Sequence, residues 1–190
     1  MRVADGDNAA LARIRASIAR TDRADVRERV LLVLAHERVK RGRGEGPGRE
    51  TVSGLPRVER ARADEAQRYA QLVPRVQALV ARVLPENARV LVVSRGDDAL
   101  LELQGRAAGH FPQADGKWAG FYPRDGEDAV THLVDLVTAG WQFIVFPATA
   151  FWWLEYYEKL ASRLLAHGRT IWHDADCAIF TLESALGEPW

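Results

Sequence analysis

The period of the hydrophobic positions changes near residue 85. Before that point, apolar residues recur three and four positions apart, at Tyr69, Leu72, Val76, Leu79 and Val83. This spacing is typical of the seam of a helical hairpin or short coiled coil. Pro74 interrupts the seam and should kink the helix or begin a new one. We therefore predict a helical arm over residues 1–84, with a flexible glycine-rich loop at 41–55.

After residue 85, short apolar runs alternate with amphipathic stretches. Strands are predicted at 89–94, 141–146, 170–173 and 178–182, and helices at 127–139 and 150–167. Alternating strands and helices favour right-handed crossovers and a mostly parallel sheet, although the last two strands are close enough to form an antiparallel hairpin. Residues 85–190 are thus predicted to form a small Rossmann-like three-layer α/β domain, in which residues 105–125 are a long irregular excursion.

The sign of the net charge also changes near residue 85. Residues 1–84 carry 18 Arg and Lys against 11 Asp and Glu, and residues 85–190 carry 8 against 15. Opposite charge would help the two parts to dock, or one chain to pair with another. In the first part, acidic residues interrupt the arginines, which argues against nucleic-acid binding. A single cysteine and the absence of a long apolar run lead us to expect a cytoplasmic protein without disulfides, cysteine-based zinc sites or membrane spans.

Ligands of parallel sheets bind beyond the carboxyl ends of the strands. This rule selects residues 94–98 and 147–152, and the excursion supplies further polar and aromatic side chains. The candidate ligand-binding residues are Ser94, Arg95, Asp97, Asp98, His110, Trp118, Tyr122, Thr149 and Trp152.

Each residue of this region that could bind a ligand or act in catalysis also has a purely structural interpretation. Asp97 or Asp98 is expected to cap a short helix rather than to bind a ribose or a metal, and Asp174 and Asp176 fit a turn better than a metal site. His110 is either a general base or a loop residue, since no Ser or Cys nucleophile motif accompanies it. No metal site is predicted, and catalytic residues stay unassigned.

Two tryptophans and two tyrosines begin the helix predicted at 150–167. At about 100° per residue, Trp153 and Tyr157 face the core, whereas Trp152 and Tyr156 fall on the charged face. The outer pair must be covered by the excursion, by the N-terminal helices, by another subunit or by a ligand. Candidate interface residues are therefore Trp152, Tyr156, Tyr69, Leu72, Val76, Leu79 and Val83.

Several strings in residues 85–183 carry a family resemblance: 90–98 (VLVVSRGDD), 110–113 (HFPQ), 120–123 (GFYP), 146–154 (FPATAFWWL) and 176–180 (DCAIF). They resemble an α/β module that occurs beside glycosyltransferase or methyltransferase domains in actinobacterial-type polysaccharide and natural-product proteins. The resemblance implies a pathway context more than a reaction. The charge split and the absence of a complete catalytic or cofactor motif favour a non-catalytic accessory or interaction domain without a cofactor, which assembles through its helical arm as a homo-oligomer or with a protein of a glycosylation pathway. The alternative is a small transferase that binds a nucleotide sugar or S-adenosylmethionine at residues 94–98.

Overall fold

The computed structural model describes residues 55–182, apart from the side chains of residues 55–59 and 61. The helices and the loop predicted before residue 55 lie outside this range. The chain divides into two compact units, residues 1–67 and 68–190. The first contributes only the start of a helix to the described residues, and the second contains the α/β fold. The predicted domain boundary at residue 84 stays a prediction.

Four helices and seven strands make up the regular structure of the described residues. They are, in chain order, α1 (Leu55–Val83), β1 (Arg89–Val92), β2 (Ala107–His110), β3 (Gln113–Ala114), β4 (Lys117–Trp118), α2 (Gly126–Thr138), β5 (Phe143–Pro147), α3 (Trp152–Tyr156), α4 (Glu158–His167), β6 (Arg169–His173) and β7 (Cys177–Thr181). Short 3-10 helices at Asp98–Leu101 and Ala148–Ala150 follow β1 and β5.

Five strands form one sheet in the order β2-β1-β5-β7-β6. β1 pairs in parallel with both β2 and β5, whereas β7 is antiparallel to β5 and to β6. Within this sheet β7 alone therefore runs against the other four strands. The predicted mixed α/β class, the mostly parallel sheet and the antiparallel hairpin at its edge are confirmed.

Two element predictions are wrong. Residues 105–125 are not irregular throughout, because they supply the edge strand β2 and the hairpin of β3 and β4. β2 has the sequence Ala-Ala-Gly-His, which lacks β-branched residues and alternation, so its strand conformation depends on pairing with β1. The single helix predicted at 150–167 is broken at Tyr157, whose backbone is not helical (φ −97°, ψ 68°).

Helix α1 continues through Pro74, so Pro74 begins no new helix. From residue 68 onward its apolar seam packs on one face of the sheet. The shared core contains Leu72, Val76, Leu79 and Val80 of the helix together with Val90, Val92, Val145 and Ile179 of the sheet. Tyr69 and Val83 are partly buried against the same core. The seam thus packs on its own sheet, and a role between chains for these residues stays a prediction.

Side chains alternate between the two faces of a strand, so the intervening sheet residues face the side away from α1. They are also fully buried, among them Leu91, Ile144 and Phe180. The helices after β4 supply the remaining core through Leu133, Trp153, Leu160 and Leu164, and α2 packs against α4. Within residues 55–182, no helix is both long and apolar enough to cross a membrane.

Candidate functional site

Two buried polar side chains meet at the carboxyl edge of the sheet. Val92, the last residue of β1, is in register with His110, the last residue of β2. The chain leaves β1 through Ser94, and both Ser94 and His110 are almost fully buried, with 3% and 6% of their surface exposed. Parallel pairing therefore brings together two residues that are 16 positions apart in the sequence.

These residues belong to a directed chain of hydrogen bonds. The Gly96 amide donates to Ser94 Oγ at 3.3 Å, Ser94 Oγ lies 2.6 Å from His110 Nδ1, and His110 Nε2 lies 3.1 Å from Asp98 Oδ1. An ionised carboxylate only accepts hydrogen bonds, so the proton of a neutral His110 is on Nε2. Nδ1 is then the acceptor, and the Ser94 hydroxyl donates to it.

The arrangement contains the residue types of a hydrolase triad but has the opposite geometry. In a triad the carboxylate is buried against Nδ1 and the serine faces the substrate at Nε2. Here Ser94 is buried against Nδ1, whereas the Asp98 side chain is 90% exposed beside Nε2. Ser94 therefore orients the imidazole, and Nε2 is the nitrogen that faces the exposed Asp98 carboxylate.

Asp97 caps the short helix that follows the turn, as one of the two sequence interpretations predicted. Its Oδ1 accepts from the Ala99 amide at 2.9 Å. Its Oδ2 accepts a hydrogen bond from the hydroxyl of Tyr69 on α1. Burial and the neighbouring Asp97 carboxylate raise the pKa of Tyr69, so this phenol is a stable donor. Tyr69 is predicted as a seam and interface residue, and no local sequence signal links it to a turn 28 positions away.

The indole of Trp118 lies over the same turn. Gly96 has a φ of +84°, and a Cβ added there would be 2.6 Å from Trp118 Cε3. The hairpin of β3 and β4 thereby places Trp118 against the backbone of Gly96, and its Nε1 is buried without a hydrogen-bond partner. The turn therefore has an aromatic cover, and the neighbouring Arg95 side chain remains exposed.

The other predicted site residues lie elsewhere on the same side of the fold. Tyr122 contacts Trp152 edge-on, with ring centroids 5.6 Å apart. Thr149 is half-buried in the 3-10 helix after β5, and no described contact joins it to Ser94 or His110. The residues predicted to share one ligand site thus lie, in the structure, in two groups: a polar turn and an aromatic corner.

The aromatic corner consists of Phe121, Tyr122, Trp152 and Tyr156. Trp152 is half-buried and contacts Tyr156, with ring centroids 6.1 Å apart. Tyr122, from the predicted excursion, supplies part of the cover expected for Trp152. Phe121 and Tyr156 are nevertheless 60% and 63% exposed, which makes them the exposed large apolar side chains of the described residues.

The two aspartates between β6 and β7 form a turn, as predicted. Asp174 Oδ1 accepts from the amides of Asp176 and Cys177 at 2.8 and 2.9 Å. Burial alone would raise the pKa of Asp174, but these hydrogen bonds hold it below its usual value. Burial raises the pKa of the Cys177 thiol to about 12, which makes this cysteine an unreactive core residue. Within residues 55–182, no group of three or more His, Cys, Asp or Glu could hold a metal ion.

Comparison with known proteins finds no protein-family model, curated protein or solved structure that matches this chain.

Proposed function

We propose that this chain is a small transferase-type domain that binds its substrate beyond the carboxyl ends of β1 and β2. The observation that carries the proposal is the hydrogen-bonded chain of Ser94, His110 and Asp98. Buried, oriented polar groups at this edge are the usual sign of a ligand site in a parallel sheet. The parallel pairing of β1 with strands on both sides also supports assignment to the Rossmann-like three-layer class.

One feature of the turn, the exposed cation of Arg95, favours an anionic ligand, whereas the two carboxylates already accept hydrogen bonds. Asp97 is satisfied by Tyr69 and Ala99, and Asp98 by His110. Arg95 is exposed at the turn and supplies a cation that phosphate oxygens can bind. Of the two ligand classes expected, a nucleotide sugar therefore fits better than S-adenosylmethionine, whose sulfonium carries positive charge. The family resemblance is compatible with this choice, because it implies the context of a glycosylation or natural-product pathway. A cytoplasmic location, expected from the composition, is part of the same proposal.

A thermal-shift screen of nucleotide sugars and S-adenosylmethionine tests this proposal. We expect at least one nucleotide sugar to raise the melting temperature of the wild-type chain, and Arg95→Gln to reduce that shift. Arg169→Gln is the matched control, since Arg169 is exposed at the opposite, amino end of strand β6. An absence of any shift with the wild-type chain, or an equal loss in both variants, would contradict the proposal.

The aromatic corner favours a second candidate, the accessory or interaction domain. Aromatic side chains are enriched in protein interfaces, and Phe121 and Tyr156 have the exposed area that such a contact needs. If the corner joins two copies of this chain, Phe121→Ser combined with Tyr156→Ser will convert a dimer to a monomer in sedimentation velocity. A wild-type chain that sediments as a monomer at high concentration would exclude this self-association.

A further inference from the structure

Asp98 is an exposed carboxylate that is hydrogen-bonded to a buried histidine. Its side chain is 90% exposed, whereas that of His110 is 7% exposed. Its Oδ1 lies 3.1 Å from His110 Nε2. Because Asp98 reaches Nε2 from the solvent side, another oxygen atom can take the position of Oδ1 once the side chain rotates away. An exposed carboxylate gains little from such a contact, so this rotation costs little free energy.

The other nitrogen of His110 fixes the ring as a hydrogen-bond donor. Ser94 Oγ lies 2.6 Å from Nδ1 and accepts a hydrogen bond from the Gly96 amide. Among the described contacts, Nδ1 is the only acceptor for the buried Ser94 hydroxyl, so in the neutral ring the proton is on Nε2. Ser94 and Asp98 thus favour the same tautomer. When Asp98 rotates away, Nε2 remains an N–H donor that needs a new acceptor.

We propose that His110 Nε2–H binds an oxygen of a phosphate group at the position that Asp98 Oδ1 occupies in the structure. Asp98 is then an internal competitor, because its carboxylate occupies the position of the ligand's anionic oxygen. This inference rests on the proposed function, and it assigns the phosphate part of a nucleotide sugar to His110. His110 acts as a neutral donor and not as a general base, because Nδ1 is bound to Ser94 and Nε2 carries the proton.

The charges of the turn are consistent with a phosphate group at this position. A hydrogen bond from an N–H group to an anionic oxygen is stronger than one between two neutral groups. Arg95 supplies an exposed cation in the same turn, and the Asp97 carboxylate already accepts from the Ala99 amide and the Tyr69 hydroxyl. Asp98 opposes the phosphate in two ways, since it occupies the position and repels a second anion.

Titration with inorganic phosphate tests this inference. Phosphate replaces chloride at constant ionic strength, so that the screening of surface charges stays fixed. The measurement is the pair of ring nitrogen shifts of His110 in the whole chain labelled with ¹⁵N-histidine. It is made at about pH 8.5, two units above the usual histidine pKa of 6.5, where the ring is neutral. We expect the Nε2–H form before and after addition, with a saturable change in the Nε2 shift.

Variants of Asp98 separate competition for the position from repulsion, and the exposure of this residue makes them compatible with the fold. Asp98→Asn removes the charge but keeps an oxygen that accepts from Nε2, whereas Asp98→Ala removes both. We expect phosphate affinity to increase from the wild type to Asp98→Asn and again to Asp98→Ala, by about two- to fivefold in total, the range for one exposed charged contact. The control is Glu86→Gln, which removes an exposed charge outside the turn and should leave the affinity unchanged.

Three results would overturn the inference: no change in the His110 shifts with phosphate, a wild-type ring in the Nδ1–H form, or equal affinities for Asp98→Asn and Asp98→Ala. The last would leave repulsion alone and remove the competition. Because the probe is phosphate alone, the titration is independent of the thermal-shift screen. A failed screen removes the nucleotide sugar and keeps the phosphate position, whereas a failed titration removes His110 as the phosphate contact.

Discussion

At the scale of single residues, Gly96 links the backbone of the turn to its aromatic cover. Its positive φ is strained for residues with a Cβ, and its α-carbon faces the Trp118 ring without room for a methyl group. Gly116 has a similar φ of +76°, but nothing lies within 4 Å of the position where its Cβ would be. The two glycines therefore share a positive φ and differ in packing.

We expect Gly96→Ala to destabilise the fold more than Gly116→Ala does. Both substitutions carry the cost of a left-handed residue, about 1–2 kcal/mol. Only Gly96→Ala must also displace Trp118, and overpacking of this kind costs about a further 1–3 kcal/mol. Urea unfolding of the two variants measures the difference, and equal free energies of unfolding would show that Trp118 does not rest on the turn.

Tyr157 is a buried tyrosine whose hydroxyl binds a backbone carbonyl. It is 2% exposed and breaks the predicted helix, while its hydroxyl donates to the Pro123 carbonyl at 2.8 Å. This bond ties the start of α4 to the segment before α2. The adjacent Tyr156 has the same chemistry but is 63% exposed.

Tyr157→Phe should lower the free energy of unfolding by about 1–3 kcal/mol, because it leaves a buried carbonyl without its donor. Tyr156→Phe should change it by less than about 0.5 kcal/mol, as is usual for surface positions. Chemical denaturation of both variants measures the two free energies of unfolding. Equal effects would mean that the hydroxyl of Tyr157 contributes nothing beyond that of an exposed phenol.

At the scale of elements, the later part of α1 behaves as a layer of the α/β unit. Apolar packing holds it to the sheet, and polar contacts add to this packing. Gln77 Nε2 donates to the Ala99 carbonyl at 2.7 Å, and Arg106 donates to the Leu84 carbonyl at 2.6 Å. Arg75 pairs with Asp176 in the turn between β6 and β7, with Nε 2.8 Å from Oδ2. From residue 68 onward, the helix is therefore held at several points, from the turn after β1 to the turn between β6 and β7.

Leu72→Ala tests whether this helix packs on the sheet in solution. Leu72 is 6% exposed, and truncating a buried leucine costs about 2–5 kcal/mol of unfolding free energy. The neighbouring Gln71 is exposed, so Gln71→Ala should stay within about 0.5 kcal/mol of the wild type. A cost below about 1 kcal/mol for Leu72→Ala would indicate that the helix separates from the sheet.

At the scale of the whole molecule, two histidines make folding sensitive to acid. Burial lowers the pKa of His132, against the opposing charges of Asp135 and Asp128, and His132 Nε2 accepts from the Gln113 amide at 3.2 Å. Burial likewise lowers the pKa of His173, against Asp174. Both rings are thus kept neutral in the fold at pH values where the unfolded chain binds a proton.

The stability that these histidines contribute is fully present above their unfolded pKa of 6.5 and is lost as the pH falls below it. The unfolded state binds more protons in that range, so acid shifts the equilibrium toward it. We expect the free energy of unfolding to decrease between about pH 7.5 and pH 5.5, a range that spans the usual histidine pKa. The combined variant His132→Gln, His173→Gln should show a flatter dependence, and an unchanged slope would assign the effect to other groups.

Local sequence signals predicted much of the fold. The buried strands β1, β5 and β7 have continuous apolar runs, and α2 has an amphipathic period with a capping Asp125. The residues of the turn were also recognised, because the ends of parallel strands are where ligands bind. β2 and the break at Tyr157 have no local signal, since one depends on a neighbouring strand and the other on side-chain contacts.

Periodicity and turn chemistry are local properties of the chain, so the α/β class, the mostly parallel sheet and the residues at its carboxyl edge follow from the order of the amino acids alone. The contacts of Ser94 with His110, of Tyr69 with Asp97 and of Trp118 with Gly96 arise only when the chain is folded. These contacts join residues far apart in the sequence, and their geometry depends on strand register and helix packing. For this reason the same residue types that suggest a nucleophilic triad form, in this fold, an oriented histidine behind an exposed carboxylate.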